Sequence, residues 1–339
     1  MVRVVRATQV EIETAVQALR DGELVAFPTE TVYGLGANAQ NPAAVRRIFE
    51  VKARPPDHPV IVHIDTPRYL HRWVRDVPES AARLAEVFWP GPLTMVMRRG
   101  PNVHVVITGG QVTSAIRVPA HPMAQQLLTA FGGGIAAPSA NRYGRLSPTR
   151  AEHVREEFAE AVRVILDGGE CQIGLESTIV AFEDEGVRLL RPGSVTAAQI
   201  KGVVGELLLG AASASPRVPG SAPTHYAPRT PLAIVPAGEI DGQAEAASAG
   251  GRRVAVLAQR LPLRSHKYVT WINAGRRPEM YGRDLYTNLR TLDKAGCQQI
   301  LVQAVPEGER WDAIRDRLLR AASSVAESDD GTGTRAMLP

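Results

Sequence analysis

Short apolar runs alternate with amphipathic stretches over the first two hundred residues of the chain. Short apolar runs bounded by turn-forming residues are typical of buried strands, and the stretches between several of them have helical spacing. This alternation predicts a mixed α/β domain. Strands are predicted at residues 24–27, 60–63, 93–97, 114–117, 135–137, 164–166, 178–182 and 187–190.

Several helices carry start signals in the same region. Asn41 followed by Pro42 is typical of an N-cap and a first helical position, and it predicts a helix through Val51. Thr149 is predicted to cap a helix over residues 150–158, and Pro78 opens another helix. A short helix is predicted after Thr196.

The pattern changes after residue 210. Residues 210–223 are small, flexible and punctuated by proline, which predicts a linker between domains. Beyond the linker, strands at 232–235, 254–257, 269–272 and 300–302 alternate with helices, the last at 311–322, and one helix has Leu285, Leu289 and Leu292 on one face. A small parallel, Rossmann-like sheet is predicted. The tail from residue 323, rich in Ser, Asp and Gly, is predicted to be disordered at its end.

Composition narrows the class of protein. A chain of 339 residues that is 44% hydrophobic is long enough for about two domains with cores. It has no apolar run of roughly eighteen residues and no signal-peptide core, so we expect a cytoplasmic protein without a membrane segment. The two cysteines, Cys171 and Cys297, are far apart and predict neither a disulfide framework nor a zinc site. The net charge of +4 and pI of about 9.3 are compatible with a basic face toward nucleotides or RNA.

Candidate chemistry is concentrated in one stretch and its surroundings. An apolar strand ending at Phe27 runs into hydroxyl residues and the glycines Gly34 and Gly36, a composition that lets backbone N–H groups and hydroxyls approach an anion. Lys52 and Arg54 supply charge that can converge on a polyphosphate. Neither a P-loop nor a dinucleotide-binding fingerprint is present, so another architecture must hold any nucleotide.

An ordered series of motifs resembles the YrdC/Sua5 family. The series comprises PTETVYGLG at 28–36, Lys52-x-Arg54-Pro55, HPVIVH at 58–63, RVP at 117–119, PSAN at 138–141, ESTIV at 176–180 and RPG at 191–193. The resemblance implies a YrdC-like α/β (α+β) catalytic domain at 8–205, a twisted mixed sheet with helices around a central concave cavity. A segment from His225-Tyr226-Ala227-Pro228 onward resembles the extra domain of Sua5-type members. It implies a linker or lid at 206–230, a smaller Rossmann-like C-terminal Sua5 domain at 231–325, and a disordered tail at 326–339.

Members of this family are threonylcarbamoyl-AMP synthases. The reaction joins L-threonine, bicarbonate or CO2, and ATP, and it releases pyrophosphate. The resemblance implies Mg2+ with ATP, and Mg2+ commonly binds substrate phosphates, so no metal ligands are expected from protein side chains. The product supplies a separate tRNA threonylcarbamoyl-transferase machinery for the t6A modification at position 37 of tRNAs that read ANN codons. Binding of tRNA or double-stranded RNA is also implied.

Site residues follow by matching this chain to the family motifs. Lys52 and Arg54 are expected to be catalytic. Residues that match threonine-binding positions are Thr31, His63, Arg117, Ala137 and Ser177. Residues that match ATP-binding positions are Arg54, His58, Thr113, Ser139, Asn141, Ser147, Arg191 and Tyr226. Ser147 is expected near a helix N-terminus that helps hold phosphate, and Tyr226 is expected to act from a lid over the ATP site.

The residues alone leave other interpretations open. Lys52 and Arg54 also fit a solvated loop after a helix, Arg117 a surface charge at a strand end, Ser147 a plain helix cap, and His63 a core histidine. Two other functions are considered, a related carbamoyl-adenylate-forming enzyme and a non-catalytic double-stranded RNA-binding protein. The chain has too few cysteines to build zinc fingers, which disfavours the related carbamoyl-adenylate-forming enzyme. An enzyme is favoured over the RNA-binding protein because the full set of motif residues is present, namely Lys52, Arg54, Arg117, Ser139 and Asn141.

Overall fold

A computed structural model of the chain describes residues 8–210, 212, 215–220, 225–265 and 267–322. The chain divides into two compact units. The N-terminal unit comprises Met1–Tyr143, Ser147–Ser221 and Gly308–Ala313, and the C-terminal unit comprises Gly144–Leu146, Ala222–Glu307 and Ile314–Pro339. The domain limits taken from the family resemblance stay predictions. Residues 221–224 of the expected linker and the tail 326–339 lie outside the described residues.

A large mixed sheet organises the N-terminal unit, which confirms the predicted fold class. Its described strands run in the order β10-β9-β8-β4-β5-β3-β6-β2-β1-β7. The pairs β3–β5, β4–β8, β1–β7 and β9–β10 are parallel, and the others are antiparallel. The strands are β1 (Val25–Phe27), β2 (Gly34–Asn38), β3 (Ile61–His63), β4 (Leu93–Arg98), β5 (Thr113–Arg117), β6 (Ile135–Ala136), β7 (Val164–Ile165), β8 (Thr178–Glu183), β9 (Gly186–Arg191) and β10 (Leu208–Leu209).

Helices cover both faces of this sheet. They are α1 (Gln9–Arg20), α2 (Pro42–Lys52), α3 (Glu79–Phe88), α4 (Val105–Thr108), α5 (Pro122–Phe131), α6 (Ala151–Phe158) and α7 (Ala197–Val204). The strand β1 shows how the period of two assigns residues to faces. Val25 and Phe27 pack with α1 and α5, whereas Ala26 belongs to the larger core that contains Val45 and Ile48 of α2.

The glycine-rich stretch after the first strand has a different role from the one its composition suggests. Residues 34–38 form β2, and the N–H of Leu35 donates to the carbonyl of Pro138 at 2.9 Å. A Cβ on Gly36 would lie 2.7 Å from Ile135 Cγ2 and 2.9 Å from a ring atom of Phe27. The expectation that Gly36 lets the backbone approach an anion is therefore wrong, because the absent side chain makes room for neighbouring core side chains.

Two predicted helix starts have different outcomes. The side chain of Asn41 accepts hydrogen bonds from the N–H groups of Ala43 and Ala44, which confirms the N-cap of α2. Thr149 does not cap α6, because that helix begins at Ala151 after an N-cap at Arg150 that makes no side-chain capping bond. The backbone N–H of Thr149 donates to Nδ1 of His153 at 3.2 Å, so Thr149 is tied to the helix through its backbone and the His153 side chain.

The C-terminal unit is a small parallel sheet, as its sequence pattern predicts. Its strands β11 (Leu232–Val235), β12 (Val254–Ala258), β13 (Val269–Asn273) and β14 (Gln299–Gln303) pair in the order β11-β14-β12-β13. Helix α8 (Ile240–Ala247) packs on one face through Ile240 and Ala244. Helix α9 (Pro278–Asp293) buries Leu285, Leu289 and Leu292, which confirms the predicted apolar face. Helix α10 (Glu309–Ala322) ends the described chain.

Within the described ranges, no helix combines the length and the apolar composition that a bilayer crossing requires.

Replacement of Gly134 by alanine tests the tight packing beside β6. A Cβ at this position would lie 2.2 to 2.8 Å from ring atoms of Trp73, which is itself buried. Because the indole has no free space to move into, we expect Gly134→Ala to lower the free energy of unfolding by about 1–3 kcal/mol. Denaturant unfolding of the two proteins measures the difference.

The matched control is Gly202→Ala, in the exposed part of α7, where a Cβ meets nothing within 4 Å. It is expected to raise the free energy of unfolding by about 0.4–1 kcal/mol, because alanine restricts the unfolded chain. Equal effects of the two substitutions would contradict the packing argument.

Candidate active site

The matched residues of the N-terminal unit include a row of strand ends in the large sheet. His63 ends β3 and Arg117 ends β5, and the two are register partners in a parallel pair. Register partners in a parallel pair point to the same face, so imidazole and guanidinium share one side of the sheet. Ser177 precedes β8, and Arg191 ends β9 opposite Ile179. Strand ends thus bring together residues that are far apart in sequence.

Arg117 is buried in an ion pair. Its Nη2 donates to Oε1 of Glu30 at 2.6 Å, its Nη1 to Oγ1 of Thr31 at 2.8 Å, and its Nε to the carbonyl of Gly91 at 3.2 Å. The side chains of Arg117 and Glu30 are 4% and 5% exposed. The surface-charge interpretation of Arg117 is therefore wrong. Each Nη carries a second N–H beyond these bonds, so the guanidinium retains donors for a ligand carboxylate.

His63 is a buried neutral imidazole. Its ring lies edge-on to Phe27, with ring centroids 5.9 Å apart. Burial, with a smaller contribution from Arg117, lowers the pKa of His63 to about 3. Backbone groups of Ile135 and Ile61 lie near the ring, but Nδ1 makes no hydrogen bond of acceptable geometry within the described chain. A buried nitrogen of this kind suits a polar ligand better than a packed core.

Lys52 joins two of the sequence motifs. It ends α2 and is 1% exposed. Its Nζ donates to the carbonyl of Ser139 at 2.6 Å and also to the carbonyl of Asn141. Burial, followed by the charge of Arg54, lowers the pKa of Lys52 well below its ordinary value. The interpretation of Lys52 as part of a solvated loop is wrong, because the ammonium is enclosed by the PSAN segment.

Arg54 and His58 lie beside this cation. Nη2 of Arg54 donates to the carbonyl of Pro59 at 2.9 Å, and Arg54 is 6% exposed. The ring of His58 meets the ring of Tyr143 edge-on, with centroids 5.4 Å apart. Burial and the charge of Arg54 lower the pKa of His58. Lys52 and Arg54 supply positive charge suited to polyphosphate, and the lowered pKa of His58 favours its neutral form beside them.

The PSAN segment and Ala137, which precedes it, connect the residues around Arg117 with those around Lys52. The N–H of Ala137 donates to the carbonyl of Ile61 on β3, and the N–H of Ala140 donates to the carbonyl of Tyr33, two residues after Thr31. The backbone of Ser139 also pairs with Gly34. Because this one segment contacts the chain beside Thr31, the strand of His63 and the Lys52 ammonium, it holds both groups in one site.

Ser177 is held by two neighbours. Its Oγ lies 2.7 Å from Oγ1 of Thr94, at the start of β4. Arg191 donates through Nη2 to the carbonyl of Ser177 at 2.8 Å and to its Oγ at 3.1 Å. Nη1 of Arg191 donates to the carbonyl of Pro219 at 2.7 Å. Arg191, expected to contact nucleotide, thus also supports Ser177.

Residues 215–220 contact the same face of the sheet. Val218 packs against a cluster of apolar side chains that includes Ile61 of β3 and Ala115 of β5. The backbone of Arg217 exchanges two hydrogen bonds with the side chain of Gln111, and its Nη1 contacts Asp57 at 2.9 Å. This part of the expected linker therefore covers apolar surface on the face that carries His63 and Arg117.

The side chains of four residues that match ATP-binding positions have other contacts or positions in the structure. The hydroxyl of Ser147 donates to the buried carboxylate of Glu176 at 2.5 Å, and Ser147 lies four residues before α6, so it is neither a helix cap nor at that helix N-terminus. Thr113 begins β5, about 13 Å along the strand from Arg117. Nδ2 of Asn141 donates to the carbonyl of Arg142 at 2.7 Å. The roles of these residues and of Tyr226 toward ATP stay predictions.

Tyr226 belongs to the C-terminal unit and is enclosed by aromatic and cationic neighbours there. Its ring stacks on Tyr286, with centroids 5.9 Å apart, and the guanidinium of Arg317 lies 5.2 Å from its ring centre. Its φ of 60° is unusual for a residue other than glycine. Packing within this unit therefore fixes an uncommon backbone conformation at the family motif.

The donor set gives no indication of a protein-bound metal. Among the described residues, no three His, Cys, Asp or Glu side chains come together as a metal site. Cys171 and Cys297 are buried free thiols, as their sequence separation predicts. The expectation of Mg2+ bound to ATP phosphates stays a prediction, since such an ion commonly needs few protein ligands.

Some side chains of the site were missed by sequence reasoning. Thr29 and Glu30 lie inside the quoted PTETVYGLG motif, and Thr94 and Glu176 lie in or beside strands. The available signal was polar residues at positions where the neighbouring pattern is apolar. The apolar pattern around them predicts that these groups are buried. Only the structure shows that Glu30 is the partner of Arg117 and that Thr94 is the partner of Ser177.

The depressed pKa of His63 makes folding stability depend on pH. The unfolded histidine binds a proton below about pH 6.5, whereas the folded one stays neutral to about pH 3. Protonation therefore favours the unfolded state, and the free energy of unfolding decreases as pH falls from 6.5 toward 3. Between pH 7 and 5 the loss is about 2 kcal/mol. We expect His63→Asn to remove that part of the pH dependence, measured by denaturant unfolding at both values.

His71→Asn, at an exposed position, serves as the control. It is expected to leave the pH dependence of unfolding as in the wild type. A wild-type pH dependence in His63→Asn would show that His63 is not the buried neutral group described above.

Comparison with known proteins supports one family across the chain. A family model for Sua5, YciO and YrdC, described as "Telomere recombination", matches residues 17–193, and another, described as "Threonylcarbamoyl-AMP synthase, C-terminal domain", matches residues 195–323. Threonylcarbamoyl-AMP synthase of Pyrococcus abyssi is 39% identical over 328 residues, covering 94% of this chain and 95% of that protein. The Bacillus subtilis protein of the same name is 41% identical over 323 residues, covering 92% and 93%.

A solved structure is similar over nearly the same length. The crystal structure of P. abyssi Sua5 complexed with L-threonine aligns with a TM-score of 0.88 and 38% identity, covering 94% of this chain and 96% of that one. Both the sequence relatives and this structure extend over the two units. The chain therefore belongs to the Sua5/YciO/YrdC family and carries the C-terminal domain of the Sua5 type.

Proposed function

We propose that this protein is a threonylcarbamoyl-AMP synthase that converts L-threonine, bicarbonate or CO2, and ATP into L-threonylcarbamoyladenylate and pyrophosphate. Its relatives from P. abyssi and B. subtilis carry that name over nearly their whole length. The similar P. abyssi structure contains L-threonine. Family membership supports the reaction class, and the site geometry supports the residue roles proposed below.

The observation that carries this proposal is the enclosure of Lys52 by the PSAN segment. The ammonium donates to the carbonyls of Ser139 and Asn141, and Arg54 lies close enough to lower its pKa. Ala137, which immediately precedes this segment, donates its N–H to Ile61 of β3, the strand that ends at His63. A polyphosphate site and an amino-acid site are thereby held together, as a reaction that joins an amino acid to a nucleotide requires.

The threonine subsite is assigned to the residues around Arg117. A carboxylate would bind the remaining N–H groups of the guanidinium, because the planar fork suits two oxygens. Thr31 contacts Arg117 directly, and His63 is its register partner. A neutral His63 donates or accepts a single hydrogen bond without adding charge beside the amine. Ala137 contributes its backbone, and Ser177 approaches from β8.

The chemistry proceeds in two steps. The neutral amine of threonine takes up CO2 and loses a proton, which gives a carbamate; from bicarbonate, that proton leaves with hydroxide as one water. A carbamate oxygen then attacks the α-phosphorus of ATP, a new P–O bond forms, and the bond to pyrophosphate breaks. Lys52 and Arg54 stabilise the charge that accumulates on pyrophosphate, and they need no rearrangement because their neighbours already hold them. Mg2+ bound to the triphosphate supplies further neutralisation of phosphate charge.

ATP is assigned to the group of residues around Lys52 and extends to Arg191, as the family motifs indicate. Phosphates that arrive beside Lys52 favour its charged form and oppose the effect of burial. Covering the site matters for the product, because a mixed anhydride is hydrolysed by water. The packing of Val218 against the apolar part of this face supports such a cover.

The product is proposed to supply a separate enzyme that modifies adenosine at position 37 of tRNAs reading ANN codons. This role implies work in the cytoplasm, where tRNA is modified, and it makes tRNA or double-stranded RNA a candidate partner. The positive sequence charge supports RNA contact.

Pyrophosphate release tests the proposal directly. We expect release from ATP only when both L-threonine and bicarbonate are present. Lys52→Met preserves the length of the side chain but removes its charge, and Arg54→Gln removes the guanidinium. Each is expected to lower kcat by about 100-fold or more, since charge stabilisation in an enclosed site is worth several kcal/mol.

The controls are Lys201→Met and Arg155→Gln, which remove exposed cations from α7 and α6. They are expected to keep wild-type rates. Release without threonine, or unchanged rates in the Lys52 and Arg54 variants, would contradict the proposed synthase. Thermal unfolding of each variant shows whether a lost rate reflects a lost fold.

A further inference from the structure

Three consecutive polar residues are buried where β1 leads into the site. Thr29, Glu30 and Thr31 are 2%, 4% and 0% exposed. Buried polar groups of this kind persist only when hydrogen bonds satisfy them. Because these groups are almost fully buried, bonds to bulk water compete little with the hydrogen bonds between them.

The positions of the two hydroxyl protons follow from counting donors. Oγ1 of Thr29 lies 2.7 Å from the carbonyl oxygen of Val32 and 2.7 Å from Oγ1 of Thr31. It also accepts longer hydrogen bonds, at 3.2 Å, from the backbone N–H groups of Thr31 and Val32. Each contact between two oxygens at this distance needs one proton, and the carbonyl has none. The two hydroxyls supply two protons for two contacts. Thr29 therefore donates to Val32, and Thr31 donates to Thr29.

Arg117 completes the arrangement around Thr31. Its Nη1 donates to Oγ1 of Thr31 at 2.8 Å. The Thr31 hydroxyl thus donates one bond and accepts one. A hydroxyl oxygen has two lone pairs, so its remaining capacity is one acceptor position and no donor. Any ligand group that bonds to Thr31 must bring an N–H or an O–H.

Glu30 fixes the other side of Arg117. Oε1 accepts from Nη2 of Arg117 at 2.6 Å, and Oε2 accepts from the backbone N–H of Ala120 at 3.0 Å. Both carboxylate oxygens are therefore used, and the guanidinium is held in one orientation. This orientation keeps Nη1 on Thr31, and it leaves the second N–H groups of the fork for a carboxylate.

We propose that Thr29 and Glu30 are positioning residues of the amino-acid subsite. Thr29 accepts the Thr31 proton and leaves Thr31 an acceptor only, and Glu30 fixes the orientation of the Arg117 donors. This inference rests on the proposed function. The ligand it selects carries a carboxylate with an N–H or O–H donor beside it, as an α-amino or β-hydroxy acid does. In L-threonine the donor is either the amino group or the β-hydroxyl.

The test measures L-threonine binding by calorimetry, together with kcat and KM for threonine in pyrophosphate release. Thr29→Val preserves the shape of the side chain but removes the acceptor of the Thr31 proton, together with the contacts of this hydroxyl to the backbone of Thr31 and Val32. Glu30→Gln offers one oxygen and one amide N–H2 where two acceptors are needed. Each is expected to raise the Kd and KM for threonine about 3- to 10-fold, with kcat at saturating threonine within about twofold of wild type.

Two further variants separate positioning from a general loss of packing. Thr29→Ser retains the hydroxyl and is expected to restore threonine binding to within about twofold of wild type. The matched control Thr108→Val removes a buried hydroxyl on α4, where it donates to the carbonyl of Val105 at 3.2 Å, and it is expected to bind threonine normally. If Thr29→Ser binds as weakly as Thr29→Val, or Thr29→Val binds as tightly as Thr108→Val, the inference is wrong.

Comparison of L-threonine with L-2-aminobutyrate, which lacks the hydroxyl, identifies the donor through Thr31→Val. If the hydroxyl bonds to Thr31, this variant weakens only threonine binding. If the amino group does, both ligands weaken by the same factor. Either result supports an acceptor at Thr31, whereas unchanged binding of both ligands overturns it.

The two levels of proposal fail in different ways. A wild-type protein that neither binds threonine nor releases pyrophosphate would overturn the proposed function, and this inference with it. A wild type that does both, beside Thr29 and Glu30 variants with unchanged Kd and KM, would overturn this inference alone.

Discussion

The buried ion pair between Arg117 and Glu30 is the constraint on which the rest of the site depends. Removing two charges from water is costly unless they pair closely and their remaining groups are hydrogen-bonded. Here the two side chains are 2.6 Å apart. Arg117 also donates to the hydroxyl of Thr31 and the carbonyl of Gly91, and Glu30 also accepts from the N–H of Ala120. Segments that are far apart in sequence must therefore come together before either charge is stable.

A second constraint concerns the cation at Lys52. Burial and Arg54 both disfavour its charge, and they lower its pKa. Carbonyl oxygens of the PSAN segment oppose this effect by accepting its N–H groups. An ammonium in this position responds strongly to an arriving phosphate, because the phosphate supplies the negative charge that the site lacks. The same contacts explain why two separate sequence motifs act as one structural element.

The comparisons and the geometry contribute different knowledge. Relatives at 39% and 41% identity over nearly the whole chain establish the family and supply the class of reaction. They do not explain why a particular hydroxyl donates or accepts. That explanation comes from distances and proton counts around Thr29, Thr31 and Arg117, and it leads to a selection rule for the ligand that a family name does not contain.

The sequence by itself determined the secondary elements with a strong pattern, the two kinds of sheet and the motifs of the site. A continuous apolar run identifies buried strands such as β12, and the Asn41-Pro42 pair identifies the start of α2, because these signals act locally. Charge and motif order indicated Lys52, Arg54 and Arg117 as functional groups. Their burial excludes the interpretation as surface charges.

Only the tertiary structure decided which groups are partners. The glycines of β2 look like a loop for an anion, but their close contact with Phe27 and Ile135 exists only in the folded sheet. Ser147 looks like a helix cap, yet its hydroxyl pairs with Glu176, 29 residues away. Glu30 and Arg117 are 87 residues apart, and no local rule joins them. Local patterns set the elements because neighbouring residues determine them, whereas burial of charge is settled across the sheet, where distant segments supply the missing partners.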